Sequence, residues 1–173
     1  MKGKWPVLSG SLVFLLCLMV SFPAKAQEER TGLWTAGAAL GLQGATADGS
    51  AFAINLAGDY FLTNNISVGP LVQLGFTGDL TQIGVTAQAK YTLDLIDIPR
   101  LKPHFQGGIG FIYADLQGND TSFLIPLGVG AEYRMGDTTS LESSLLFNFT
   151  DLDVDGGNSF FITWTVGVRF QFR

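Results

Sequence analysis

Six ionisable side chains stand in segments that otherwise alternate between apolar and small or uncharged residues: Asp59, Lys90, Glu132, Arg134, Glu142 and Arg169. Three are acids and three are bases, and each falls on the same side of its segment as Gly, Ser, Thr or Gln. Opposite charges in equal number on an enclosed face pair with one another, because an unpaired buried charge is costly. Around the Gly136-Asp137 turn, Glu132 and Glu142 are expected to approach, with Arg134 near and Arg169 on the next segment. Two uses follow: a fixed plug that sets the register of the segments, or a gate whose ion pairs exchange partners. Asp151, Asp153 and Asp155, followed by Gly156, match the first half of a calcium loop. The twelfth position is Ile162, where that loop needs a bidentate carboxylate, and the flanking helices are missing. An acidic solvated loop is the expectation, with weak calcium binding by Asp151, Asp153 and Asp155 as the lesser alternative. His104 is the one histidine. Its neighbours Phe105 and Gln106 offer no nucleophile, and no zinc cluster, nucleophile elbow or phosphate loop is present. Gly107-Gly108-Ile109-Gly110 lies inside a strand-like run, where small residues make room. No catalytic residue and no cofactor is expected.

The elements that carry these charges read as strands. In the last, Phe160, Ile162, Trp164, Val166, Val168, Phe170 and Phe172 take every second position, a period of two. Eight such segments are bounded by turn residues. They run Leu33 to Ala45, Ser50 to Leu62, Ile66 to Thr77, Thr81 to Leu93, Pro103 to Asp115, Thr121 to Met135, Ser140 to Leu152 and Ser159 to Phe172. No helix-period stretch appears after the N-terminal region.

Alternation alone does not say which face points inward. The aromatics do. With the chain threaded up and down, Trp34, Tyr60, Tyr91, Phe105, Tyr133 and Phe172 fall at one level. Phe52, Phe76, Phe111, Tyr113, Phe123, Phe149 and Phe160 fall near the other. Two aromatic girdles around an aliphatic band are what two membrane interfaces select. The polar face is rich in Gly, Ala and Thr and poor in charge, unlike a soluble exterior. The expectation is therefore an all-β, eight-stranded antiparallel up-and-down transmembrane β-barrel. It must be closed, because an open edge in lipid leaves backbone groups unpaired.

Residues 1–26 read as a signal peptide. Lys2 and Lys4 precede an apolar run from Val7 to Phe22, and Ala24-Lys25-Ala26 is a small-x-small cleavage site. Cys17 follows Leu15-Leu16, which argues against a lipid anchor. Residues 27–173 then form one barrel domain of 147 residues. Lys2, Lys4 and Lys25 leave with the leader, so seven basic residues face 15 acidic ones, a side-chain balance of −8. Such an acidic chain is not expected to partner nucleic acid.

The chain resembles the small outer-membrane β-barrel family, the OmpX/OmpA-type eight-stranded barrels, with some OmpW-like features. The resemblance rests on Asp59 to Pro70, Lys102 to Gly110, Gly130 to Asp137 and the closing Val166 to Phe172. It implies export to the outer membrane, contact with outer-membrane lipid and lipopolysaccharide, recognition by the outer-membrane assembly machinery, and a monomer. Such barrels commonly end on an aromatic residue; here Arg173 follows Phe172. The implied role is structural or surface-interacting, with a lumen filled by Phe61, Leu71, Ile112, Leu124, Leu146 and Phe161. A narrow channel for small solutes or ions is the alternative. A lipid-modifying enzyme is disfavoured, because lipid A deacylases use a His-x-Ser pair and this chain reads His104-Phe105-Gln106.

Overall fold

The computed structural model describes residues 29–46, 49–77, 81–95, 98–115, 119–152 and 158–172. Each turn-bounded segment forms a strand: β1 (Trp34–Thr46), β2 (Gly49–Phe61), β3 (Ile66–Phe76), β4 (Thr81–Thr92), β5 (Leu101–Asp115), β6 (Asn119–Arg134), β7 (Thr139–Leu152) and β8 (Asn158–Phe172). Their ends fall within two residues of those read from the pattern. The expected signal peptide over residues 1–26, Asp153, Asp155 and Arg173 lie outside the described residues.

All neighbours are antiparallel and consecutive, and β1 closes on β8 from Trp34↔Phe172 to Gly44↔Ile162. Closure removes both sheet edges, so every strand has two partners. Strand length is ample for a bilayer, which needs about 9–11 tilted residues. On β8, Phe160 and Phe172 are twelve positions apart. At ~3.3 Å per residue and a tilt of ~45°, that is about 28 Å along the membrane normal, close to the ~25 Å apolar band of such barrels.

The barrel is inside out relative to a soluble one. On β4, Gln82, Thr86, Gln88, Lys90 and Thr92 are buried while Ile83, Val85, Ala87 and Ala89 are exposed. The same inversion runs along β3, where Ser67, Leu71 and Gln73 are buried and Ile66, Pro70 and Phe76 are exposed. A one-residue slip would turn every Gln and Lys outward, so the pattern specifies register strongly. The aromatics form bands across the ladder. Trp34 stands between Tyr60 and Phe172, and Tyr91 pairs with Phe105. Toward the other end Phe52 pairs with Phe76, Phe111 with Phe123, and Phe149 with Phe160. Tyr113 lies beside the upper band, and Tyr133 at the lower one pairs with Leu101. Trp164 and Phe147 also face outward between the bands. The Trp164 indole donates to Ser143 Oγ at 3.2 Å, which satisfies its N–H on an apolar surface.

Small residues let the wall close. A Cβ at Gly41 would lie 2.7 Å from Thr165 Cα and 2.8 Å from the Trp164 carbonyl carbon, so only glycine allows β1 to approach β8 there.

Candidate functional site

The inward side chains divide the lumen into levels. At the end that carries both termini, four charges form a closed ring. Asp59 comes from β2, Lys90 from β4, Glu142 from β7 and Arg169 from β8. Lys90 Nζ lies 2.8 Å from Glu142 Oε1 and 3.3 Å from Asp59 Oδ2. Arg169 donates through Nε to Glu142 Oε2 at 2.6 Å, and through Nη1 to Asp59. Each cation is thus shared by both acids, and signs alternate around the ring. Neighbours complete the shell: Gln88 Nε2 donates to Asp59 Oδ1 at 3.0 Å, and Arg169 Nη1 to Thr35 Oγ1 at 2.8 Å. Charge-assisted bonds of this kind are the strong ones.

Glu132 sits directly opposite Glu142 in the β6–β7 register. Like charges so placed repel. Different cations offset the two. Glu142 takes Lys90 and Arg169, and Glu132 takes Arg30, whose Nη2 lies 3.2 Å from Oε2 and 3.4 Å from Oε1. Arg30 precedes β1, is 1% exposed, and stacks on Phe61 at 4.1 Å from the ring centroid. The sequence pattern pointed to Arg134 as the sixth lumenal charge. Arg134 is half-buried at the end of β6 beside the β6–β7 turn, and Arg30 takes the place beside Glu132. Arg30 lies outside the period-two segments, so alternation carries no signal for it. The one available clue was Leu33 and Gly32 just before Trp34, a turn that brings a preceding side chain back toward the barrel mouth.

His104 is buried on the lumenal face of β5, its Nε2 3.4 Å from Glu142 Oε1. It faces the ring and not the outer surface. Asp151 is exposed at the end of β7, and its backbone N–H donates to Ser122 Oγ at 3.1 Å. Among the described residues no group of His, Cys, Asp and Glu is arranged to hold a metal.

Above the ring, a polar chain crosses the lumen. Gln73 Nε2 donates to Asn148 Oδ1 at 3.1 Å, and Asn148 Nδ2 to Thr163 Oγ1 at 3.0 Å. Toward the end opposite the termini, Ile112, Ala114, Leu124, Leu152 and Phe161 pack into an apolar cluster, none more than 2% exposed. Beside the ring, a cavity of about 30 Å³ is bordered by Asn55, Gln88, Lys90, Gln106, Glu142 and Ser144. That exceeds the ~10–15 Å³ needed to hold one water molecule. The arrangement can hold water and fixed charge.

A family model described as outer membrane protein beta-barrel domain matches residues 12–172. Among solved structures the chain is similar to Neisserial surface protein A, NspA, at 20% identity and TM-score 0.66, covering 82% of this chain and 98% of that one. It is similar to the outer membrane protein OprG from Pseudomonas aeruginosa at 10% identity and TM-score 0.65, covering 86% and 100%. It is also similar to Ail, the attachment invasion locus protein of Yersinia pestis, at 16% identity and TM-score 0.56, covering 82% and 99%. At these identities the likeness is one of fold. No curated protein matches the chain by sequence.

Proposed function

The chain belongs to the outer membrane protein beta-barrel domain family, and from that premise we propose that it works in the outer membrane as a barrel with a closed lumen. Its role on this reading is structural or surface-interacting, and it is neither a pore nor an enzyme. The observation that carries the proposal is the double closure of the lumen. The ring of Asp59, Lys90, Glu142 and Arg169 fills the end with the termini, and the cluster around Phe161 and Leu124 fills the other. An eight-stranded barrel encloses only enough space for side chains or one small ligand. The ring and the apolar cluster support a lumen filled by side chains.

A second reading, a narrow ion channel, draws on one observation. Because both cations touch both acids, a pair can exchange partners without leaving any charge unpaired. Conductance of the refolded chain in a planar bilayer separates the two, with heat-modifiable gel mobility verifying the barrel. The closed-lumen reading predicts silence from the wild type and from the Glu132→Gln, Glu142→Gln double variant. Discrete openings that grow in the double variant would establish the channel.

Several further parts belong to the same proposal. Residues 1–26 act as the cleaved signal peptide, and residues 27–173 are the mature barrel, a monomer with the terminal end in the periplasm. The assembly machinery reads the alternating Val168, Phe170 and Phe172. The two aromatic girdles hold the barrel at the lipid interfaces. The outer segments carry Asp48, Asp79, Asp120, Asp151, Asp153 and Asp155 without a Lys or Arg. Lipopolysaccharide phosphates would therefore be met through bridging divalent cations. The Yersinia pestis protein Ail has a solved complex with the heparin analogue sucrose octasulfate. This acidic rim is unsuited to a polyanion of that kind. His104 is enclosed against Glu142, which supports the absence of lipid-directed catalysis.

A further inference from the structure

Arg30 lies outside the hydrogen-bonded wall, yet it is among the most deeply buried large side chains of the molecule. The segment that carries it is a short arm docked on the end of β2 and the β2–β3 turn. Asn64 Oδ1, in the β2–β3 turn, accepts from the N–H groups of Arg30 at 2.9 Å and Thr31 at 3.3 Å, and from Thr31 Oγ1 at 3.1 Å. The Gly32 N–H donates to the Phe61 carbonyl at 2.9 Å, and the Leu33 N–H to the Arg30 carbonyl at 3.0 Å. That last bond closes a four-residue turn with Gly32 at its third position and φ of +80°, a geometry glycine supplies without strain. The turn aims the Arg30 side chain into the mouth.

The guanidinium there meets two groups suited to it. Phe61 offers a ring face at 4.1 Å, and Glu132 offers both carboxylate oxygens. A planar cation stacked on an aromatic face and paired to a carboxylate is how proteins select guanidinium over ammonium. The fit of the tethered group is incomplete. Nη2 alone reaches both oxygens, and Nε and Nη1 have no hydrogen-bond partner among the described residues. A free guanidinium is not bound by the turn and can set two nitrogens against the two oxygens, the stronger fork geometry. Removing Arg30 would also leave Glu132 beside Glu142 without its counter-ion, so the emptied mouth attracts a cation.

We propose that the terminal mouth of the barrel is a guanidinium-binding site that the chain fills with its own Arg30, making the arm a tethered plug that a guanidinium-bearing ligand displaces. The site lies at the mouth, so the inference holds whether or not the lumen conducts.

The test uses the mature chain refolded in detergent micelles, with Arg30→Ala to empty the site. Ethylguanidinium chloride raises the heat-unfolding midpoint of this variant saturably and beyond the effect of equal ethylammonium chloride. Over the low millimolar range, the wild type does not respond. Adding Glu132→Gln abolishes the response. Where Arg30→Ala does not refold, a nitroxide at Glu29→Cys on the otherwise wild-type barrel reads the arm directly, since the natural Cys17 lies in the predicted leader. Ethylguanidinium above that range then frees the label, and Asn64→Ala, which removes three contacts to the arm, lowers the concentration for half-release at least about fivefold, the worth of one of those bonds. An equal response in wild type and Arg30→Ala, a response that survives Glu132→Gln, or a label that ethylguanidinium leaves fixed overturns the proposal.

Discussion

Glu142→Gln tests the ring most sharply. The substitution keeps shape and removes one of two negative charges. Lys90 and Arg169 are then left to share Asp59 alone, so the ring carries one uncompensated positive charge. Breaking a buried pair from one side typically costs about 3–5 kcal/mol. The Glu142 side chain is 13% exposed, which places the expected loss near the lower end, about 3 kcal/mol. That is roughly a hundredfold change in the ratio of folded to unfolded barrel. Lys90→Met alone leaves Arg169 between two acids and should cost a similar amount. The double variant keeps the Arg169–Asp59 pair and restores neutrality. Its loss should therefore fall short of the sum of the singles by about 1–3 kcal/mol, the coupling usual for residues of one network. Urea unfolding of the barrel in lipid vesicles, followed by the fluorescence of Trp34 and Trp164 and by gel mobility, measures all three. A double variant that costs the full sum would refute the shared-cation ring. So would a Glu142→Gln barrel indistinguishable from wild type.

The remaining expectations concern the wall and the cap. Val85, 52% exposed near the middle of β4, faces lipid, so Val85→Arg should cost about 2–4 kcal/mol in vesicles, while Thr81→Arg at the strand end should cost about 0–1; equal costs would contradict the inside-out assignment. Phe161→Ala empties the centre of the apolar cluster and should cost about 3–5 kcal/mol in the same unfolding assay. The planar bilayer should stay silent with this variant, because the charge ring still closes the other end; openings would show that the cluster is the main barrier.

The wall of this barrel was legible in the chain because its determinants are local. Val168, Phe170 and Phe172 alternate with Gly167, Arg169 and Gln171, and that period of two follows from strand geometry alone. Asn64-Asn65 and Gly136-Asp137 mark turns by their own backbone preferences, which is why the strand ends fell within two residues of those expected. The inverted faces were readable too. Lipid and lumen select opposite compositions at alternate positions, and aromatics gather where each strand crosses an interface. That Asp59, Lys90, Glu142 and Arg169 share one face also followed from parity.

Which charge meets which did not follow. Lys90 and Glu142 are 52 positions apart, and their strands β4 and β7 are not neighbours in the wall. They meet across the lumen, at a distance set by closure, by the stagger of the ladder and by the absence of bulk at Gly37, Gly69 and Gly130. Strand parity is a property of one segment, whereas a contact across the lumen is a property of the closed barrel. Arg30 shows the limit most clearly. It stands in no strand and follows no period, and with Arg134 in its place the charges balance just as well. Only the folded turn at Gly32, the ring face of Phe61 and the carboxylate of Glu132, brought together from β2, β6 and the arm, place it inside the mouth.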